Sequence, residues 1–408
     1  MKHVIFVDEY NSSIQNGIGT FRDQLLPRLG TSPGIKTTLI SLNSMESDVK
    51  RRKTLFGNEL RIPMVNSGNW RGIGGLICPV LRTYIPDRDW NVFILNHSPC
   101  SNFIKSLRES FPKSKIIFVI HDQGWCAPLL GSVSLLKDIL LKKIIPKGFS
   151  REVISHVVES YKEEVEIYSN VDYIVCISRS TFKIVAEVYG INEAKLRLIP
   201  NGLDADGLSL ENKLAIRKSL GIMSHEKLII FSGRPARYKG IEPMLIAFES
   251  LQNTIPDIRL VICGSLDGFG KFSRLLEPIA SRVTFTGLLS QEKLAEWYKA
   301  SDVGLLPSYS EQFGYSAFEM IKYGLPIVVS DGNGLRDLFT DGVNALVAQI
   351  GNVIDSSGFV KSLTQSLETV LTMSPLQLRG IQDEARELLT YYSTENMVQK
   401  YLQVIREK

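Results

Sequence analysis

Short apolar runs without polar alternation recur along this chain. Val4–Val7, Val92–Leu95 and Ile116–Ile120 are three of them; Leu39–Leu42 is broken only by Ser41, and Asp172–Ile177 is led in by one aspartate. Uninterrupted runs of this length suit strands buried on both faces, as in a parallel sheet covered by helices. Helical spacing follows several of them. From Thr20 onward, Phe21, Leu25, Leu26 and Leu29 share one face, and Ser178 stands as N-cap before Phe182, Val185 and Val188. The alternation restarts in the second half with Lys227–Phe231, Arg259–Cys263, Val283–Gly287, Val303–Pro307 and Ile327–Ser330, with a helix over 291–300. Between the halves, Pro200-Asn-Gly-Leu-Asp204 has the chemistry of a tight turn, and a linker helix is expected over 211–220. The tail 388–408 has a helical pattern. These features predict two α/β domains, 1–204 and 205–387, which suits a 408-residue chain.

Residues 44–90 resist this reading. They hold a basic run, Lys50-Arg-Arg-Lys53, expected to be a solvated loop, and punctuation at Gly68, Gly72, Gly74, Gly75 and Pro79. Residues 135–147 read as one basic amphipathic helix, with apolar 135, 136, 139, 140, 144 and 145 on a single stripe and Lys137, Lys142 and Lys143 off it. Packing within its own domain is the plain expectation, and docking on an anionic membrane or an acidic or peptide acceptor is the alternative.

Bulk composition adds little: 44% apolar and 22% charged residues are ordinary for a soluble protein. The +4 net charge divides unevenly, with 26 Lys+Arg against 19 Asp+Glu in residues 1–200 (+7) and 21 against 24 in the remainder (−3). The bias mildly favours an anionic or membrane-borne acceptor for the first half. No run of 18 apolar residues occurs, and the N-terminus lacks the pattern of a signal peptide. Cys78, Cys100, Cys126, Cys176 and Cys263 form no metal-binding spacing, and Cys176 and Cys263 fall in strand patterns. A reduced, cytoplasmic protein is expected, with peripheral membrane contact left open.

The chemistry concentrates in Glu311–Asp331. Two glutamates eight residues apart are separated by Phe313-Gly314, and Gly324-Leu-Pro326 ends the helix that carries the second. A wholly helical path would separate them by about 12 Å along its axis. Gly314 and Ser308-Tyr-Ser310 instead put Glu311 in a loop, with Glu319 about one turn into the helix and first-turn N–H groups available to an anion. Carboxylates for hydroxyls and N–H groups for phosphate suit a polyhydroxylated anion. A second candidate is Ser232-Gly233-Arg234-Pro-Ala-Arg-Tyr-Lys239-Gly240, which sets cations on a glycine loop at the end of a strand. His121-Asp122 and Asn96-His97 end two first-half strands at the edge where open α/β sheets bind ligands.

This set resembles the retaining glycosyltransferases of GT4 type, the glycosyl transferases group 1. The Glu-x7-Glu motif matches Glu311 and Glu319, Gly-Arg…Lys-Gly matches Gly233, Arg234, Lys239 and Gly240, and Pro-Asn-Gly-(Val/Ile)-Asp matches residues 200–204. The resemblance covers most of 196–350 and, more loosely, the first domain. It implies an α/β GT-B fold of two Rossmann-like domains facing each other across an interdomain cleft. The first would bind acceptor, with the last helix packing back on it, and the second would bind a nucleotide-diphosphate sugar. It implies that Glu319 binds ribose, that Glu311 and the Phe313-Gly314 backbone contact the donor sugar, and that Tyr315 and Ser316 open the phosphate-facing helix. Arg234 and Lys239 would stabilise the leaving diphosphate, and His121 would lie beside the transferred sugar. Gly17 and Gly19 would border donor phosphates, Leu288 is a candidate base contact, and Asp337 stands where the family usually has Glu.

The expected reaction is metal-independent sugar transfer with retained configuration to a sugar, lipid-linked or peptide acceptor. No cofactor beyond the sugar nucleotide is implied, and no nucleic acid. A sugar-nucleotide epimerase or phosphorylase of the same fold and a catalytically silent sugar-nucleotide-binding subunit are the alternatives.

Overall fold

Val4–Val7 and Leu228–Phe231 are fully buried, each in the middle of a sheet. In the computed structural model, which describes residues 1–9, 17–63, 73–96, 100–205 and 212–407, the chain divides into two units. The first unit comprises Met1–Trp125, Val133–Gly202 and Tyr392–Lys408. Its strands are β1 (Lys2–Glu9), β2 (Ile35–Ser44), β3 (Lys50–Thr54), β4 (Gly57–Pro63), β5 (Asn91–Leu95), β6 (Lys115–Ile120), β7 (Tyr173–Cys176) and β8 (Leu196–Leu198). They order as β3-β4-β2-β1-β5-β6-β7-β8. All neighbours are parallel except β3 and β4, and Val4 pairs with Thr37 on one side and Val92 on the other.

The second unit comprises Cys126–Ser132 and Leu203–Tyr391. Its strands are β9 (Lys227–Ser232), β10 (Ile258–Cys263), β11 (Val283–Gly287), β12 (Val303–Leu306), β13 (Ile327–Ser330) and β14 (Leu346–Ala348). They are all parallel, in the order β11-β10-β9-β12-β13-β14. Phe231, Met244, Phe248, Val303, Leu305, Phe359 and Leu363 build its core, and Leu130 joins them from far upstream. The linker helix, Lys213–Ser219, belongs to this unit. Its buried Arg217 donates to the Ala300 carbonyl (2.8 Å) and pairs with Asp302 (2.5 Å).

Several expectations need correction. Lys50–Lys53 is not a loop but most of β3, an exposed edge strand; a charged edge discourages pairing with a second chain. Gly74, Gly75 and Pro79 do not punctuate a loop but lie in the helix Ile73–Tyr84, where a Cβ on Gly74 would come within 2.6 Å of the Phe103 Cα. Gly68, Gly72, Asn11–Asn16 and Glu211 lie outside the described residues. The 135–147 helix is in fact Val133–Leu141, because Lys143 takes the left-handed conformation (φ 54°) and turns the chain away. The tail is not one helix from 388: Pro375–Tyr391 ends, and Ser393 caps a new helix, Thr394–Arg406, its hydroxyl accepting from the Asn396 N–H (3.3 Å). Residues 126–132, expected in the first domain, group with the second unit, and the division falls after Gly202 rather than after Asp204.

The final helix completes the first unit. Thr394 donates to Gln24 (2.9 Å), Lys115 donates to the Val404 carbonyl (3.0 Å) and Arg197 pairs with Glu407 (2.6 Å). Gly202 allows the approach, since a Cβ there would stand 2.4 Å from the Ser393 carbonyl oxygen.

Candidate active site

The second unit's sheet reverses its strand order between β9 and β12. From β9 the chain proceeds outward to β10 and β11, and from β12 it proceeds the other way to β13 and β14. At such a reversal the connections leave in opposite directions, so a crevice opens beyond the C-terminal strand ends. The two motifs flank this point. After β9 come Gly233 and Arg234, then a short turn Arg237–Lys239, and Gly240 (φ 72°) starts the helix Ile241–Leu251. After β12 come Ser308–Gly314 and the helix Tyr315–Lys322.

Lys239 reaches across and forms an ion pair with Glu311 through Nζ and Oε1. The Ser308 hydroxyl donates to the same oxygen (2.9 Å). Both members of the pair are largely covered, at 18% and 13% side-chain exposure, so water screens them less than a surface pair. The Tyr309 N–H donates to the Tyr238 carbonyl (2.8 Å), tying the two loops together, and the Lys239 ammonium lies 5.2 Å from the Tyr238 ring centroid. Arg234 stays exposed and donates to the Tyr238 hydroxyl (3.1 Å). Gly233 donates its N–H to the Cys263 carbonyl (3.0 Å) and is fixed by the sheet's edge.

The Glu311 loop is supported from behind. Its N–H donates to the Asn333 carbonyl (3.0 Å), and Gly334 (φ 83°) lies so close that a Cβ would stand 1.9 Å from the Glu311 carbonyl oxygen. Asn333 also donates through Nδ2 to the Gly131 carbonyl, binding the 126–132 segment under the loop. Asp331 has a structural task, accepting from the Ile350 N–H (2.8 Å). Residues 332–337 hold only a short 3-10 turn, Leu335–Asp337.

Gly314 (φ 80°) precedes the helix Tyr315–Lys322, so the first-turn amides of Tyr315 and Ser316 have no acceptor within that helix. The Phe313 ring does not face outward but stacks on Phe318 (4.4 Å, 13°) in the core, so only its backbone can serve a ligand. Glu319 accepts from the Tyr298 hydroxyl (3.1 Å). Glu319 is half-buried as a residue, and loss of solvation by burial pushes its carboxyl up to about 7; the Tyr298 hydrogen bond and then Lys322 act in the opposite direction. Tyr298 is itself raised well above its ordinary value by burial and then by Glu319, which keeps it a donor. The two glutamates thus have separate partners. Leu288 is exposed after β11.

In the first unit the strand order reverses between β1 and β5. Asn96 follows β5, fully buried, with its N–H on the Val7 carbonyl (2.9 Å). Its Nδ2 donates to the Ile18 carbonyl (3.4 Å), which turns Oδ1 toward His121 Nε2 (2.8 Å). A carbonyl can only accept, so this orientation puts the His121 proton on Nε2 and leaves Nδ1 as acceptor. Burial lowers the His121 pKa to about 3, and the ring meets Phe21 edge-on (4.9 Å, 64°). His121 is therefore a neutral imidazole at physiological pH. Gly17 and Gly19 do not precede the helix expected from Thr20 but form its first turn, since it runs Gly17–Thr31. His97 lies outside the described residues. Burial pushes the thiols of Cys176 and Cys263 up to about 12 and 11, as inert core groups.

Sequence reasoning missed Ser308, Tyr298 and Asn333 as partners of the glutamates, and Asn96 as partner of His121. Asn96, at the end of an apolar run, and Ser308, three residues before Glu311 in the same turn, carried readable signals; Tyr298 and Asn333 depend on contacts between separate segments.

The comparisons agree with this architecture. The fold is the GT-B fold. The chain aligns with sucrose-phosphate synthase of Thermosynechococcus elongatus at TM-score 0.77, over 100% of this chain and 98% of that one, with 18% identity. It aligns with Anabaena HepE, determined in complex with UDP and glucose, at TM-score 0.70 over 99% of each chain, with 14% identity. Residues 212–383 match the family described as glycosyl transferases group 1, so the second unit carries that domain. An uncharacterized glycosyltransferase of Methanocaldococcus jannaschii is 29% identical over 242 residues, covering 56% of this chain and 61% of the relative. The D-inositol 3-phosphate glycosyltransferase of Xylanimonas cellulosilytica is 30% identical over 196 residues, 45% and 46% of the two chains. The chain thus spans roughly half the length of these curated relatives. The domain and the named relatives support a glycosyltransferase.

Proposed function

We propose that this protein is a retaining, metal-independent glycosyltransferase of GT4 type that uses a nucleotide-diphosphate sugar. The observation that carries the reading is the covered Lys239–Glu311 pair beside the strand-order reversal of a glycosyl transferases group 1 domain. In the reaction the bond between the anomeric carbon and the diphosphate oxygen breaks. The acceptor oxygen bonds to that carbon, and its proton leaves with the nucleoside diphosphate on the same face. Lys239, Arg234 and the first-turn amides of the Tyr315–Lys322 helix offset the charge that accumulates on the departing phosphates. Glu311 orients the sugar hydroxyls, Glu319 receives the ribose hydroxyls, and neutral His121, its Nε2–H held by Asn96, offers Nδ1 as an acceptor without adding charge. The first unit takes the sugar, lipid-linked or peptide acceptor.

A thermal-shift series with UDP-, GDP-, ADP- and dTDP-sugars, with and without EDTA, tests the donor site. One nucleotide should raise the melting temperature by mass action, the rise should survive EDTA, and Arg234→Ala or Glu319→Ala should abolish it. A rise equal in wild type and both variants would remove the assignment.

The Glu319 carboxyl adds a pH dependence. Its folded pKa is raised from 4.5 to about 7, so its contribution to stability is full below about 4.5 and is lost as pH rises through about 7. Ribose hydroxyls donate to the ionised form, so donor affinity should run the other way. Between pH 7 and pH 6 it should fall by up to about tenfold, with proton release on binding. Calorimetry in two buffers of different ionisation enthalpy measures this, and Glu319→Gln should bind weakly with no such slope. A pH-independent wild type would refute the linkage.

A further inference from the structure

The turn at Lys143 leaves an apolar cluster facing water. Leu136 and Ile139 of the helix Val133–Leu141 are buried, at 0% and 4% exposure, so this helix already has its inner face satisfied. Leu141, Ile144 and Ile145 then stand at 72%, 50% and 50% exposure within five residues. Lys142 and Lys143 lie between them, Lys147 follows after Pro146, and all three lysines are exposed. Over residues 133–152 the cations are Lys137, Lys142, Lys143, Lys147 and Arg151, and the anions are Asp138 and Glu152, which leaves +3. Asp138 is occupied by Lys142 (2.7 Å), and Lys137 is taken by Glu187 from a neighbouring helix (3.4 Å). Among the described residues no carboxylate pairs with Lys143 or Lys147.

We propose that Leu141–Lys147 docks the first unit onto an anionic lipid surface. Three branched apolar side chains at one turn can enter the boundary between headgroups and acyl chains, while lysine stems run alongside and hold their ammonium groups at the phosphates. A second copy of this chain fits less well. The patch would meet its own positive charge, and three residues fall far short of the roughly 800 Å² per partner of a stable interface. Lys143 contributes by geometry as well as charge. Its left-handed backbone ends the helix before Ile144 and Ile145 can continue the inner stripe. No helix among the described residues is long and apolar enough to cross a membrane, so the contact is peripheral. The surface does not depend on the transferase reading.

The test is co-sedimentation of the full chain with vesicles of phosphatidylcholine, with and without phosphatidylglycerol. Binding should need the anionic lipid and decline with salt. Lys142→Gln/Lys143→Gln/Lys147→Gln should weaken it about a hundredfold, each cation near such a surface being worth about fivefold. Ile144→Ser/Ile145→Ser should also abolish retention on the vesicles. These side chains are exposed, so both variants should keep the wild-type melting temperature and any nucleotide-dependent shift, which separates failure of this surface from failure of the donor site. No difference between the two vesicle types would overturn the proposal, and so would unchanged retention of the isoleucine variant. A dimer in solution that dissolves on Ile144→Ser/Ile145→Ser would overturn it in favour of self-association.

Discussion

Lys239→Ala is expected to lower turnover of the donor sugar by about 10²–10³-fold, the scale on which removing one preorganised charge-stabilising group acts. The ammonium is held largely out of water against Glu311, so its field is weakly screened and costs nothing to organise at the moment of bond cleavage. Glu311→Gln should cost a comparable factor, since the amide cannot balance Lys239 and loses one acceptor oxygen. The two residues act as a unit, so the double variant should fall little further than the worse single. Steady-state rates with the nucleotide sugar that raises the melting temperature provide the measurement. Simple multiplication of the two losses would mean that the pair does not work as one device. Full activity of Lys239→Ala would remove Lys239 from the mechanism. The catalytically silent alternative predicts no turnover in wild type but an intact nucleotide-dependent shift.

Gly334→Ala should be the most damaging small substitution in the second unit. It combines a left-handed backbone at φ 83° with a methyl group 1.9 Å from the Glu311 carbonyl oxygen. The backbone cost is about 1–2 kcal/mol and overpacking adds about 1–3 kcal/mol. Displacing the loop is the cheapest relief, so loss of the nucleotide-dependent shift should accompany the lower melting temperature. Gly342→Ala separates the two causes, because Gly342 has φ 70° with nothing within 4 Å of the added carbon. It should show the backbone cost alone and keep nucleotide binding. Equal effects of the two substitutions would show that the close approach at Gly334 is not what holds the Glu311 loop.

What the sequence determined by itself was local. Parallel strands buried on both faces must be written as unbroken apolar runs, so β1, β5, β6, β9, β10 and β13 were legible without contacts. The placement of Glu311 in a loop and Glu319 on a helix was likewise legible, because Gly314 must take φ 80° at the boundary. Edge strand β3 was not, since the four cations that make it safe at an edge read as a loop. Neither was the end of the 133–141 helix, where a lysine occupies a left-handed position usually given to glycine or asparagine.

The site's chemistry was decided by tertiary structure. Glu319 is raised toward 7 and His121 lowered to about 3 because folding strips solvent from both. Lys239 meets Glu311 only because β9 and β12 lie side by side, and Gly131 meets Asn333 across 202 residues of chain. Apolar periodicity is a property of neighbours along the chain and can be read from their order. Solvation and charge pairing are properties of neighbours in space, which the order of residues does not contain.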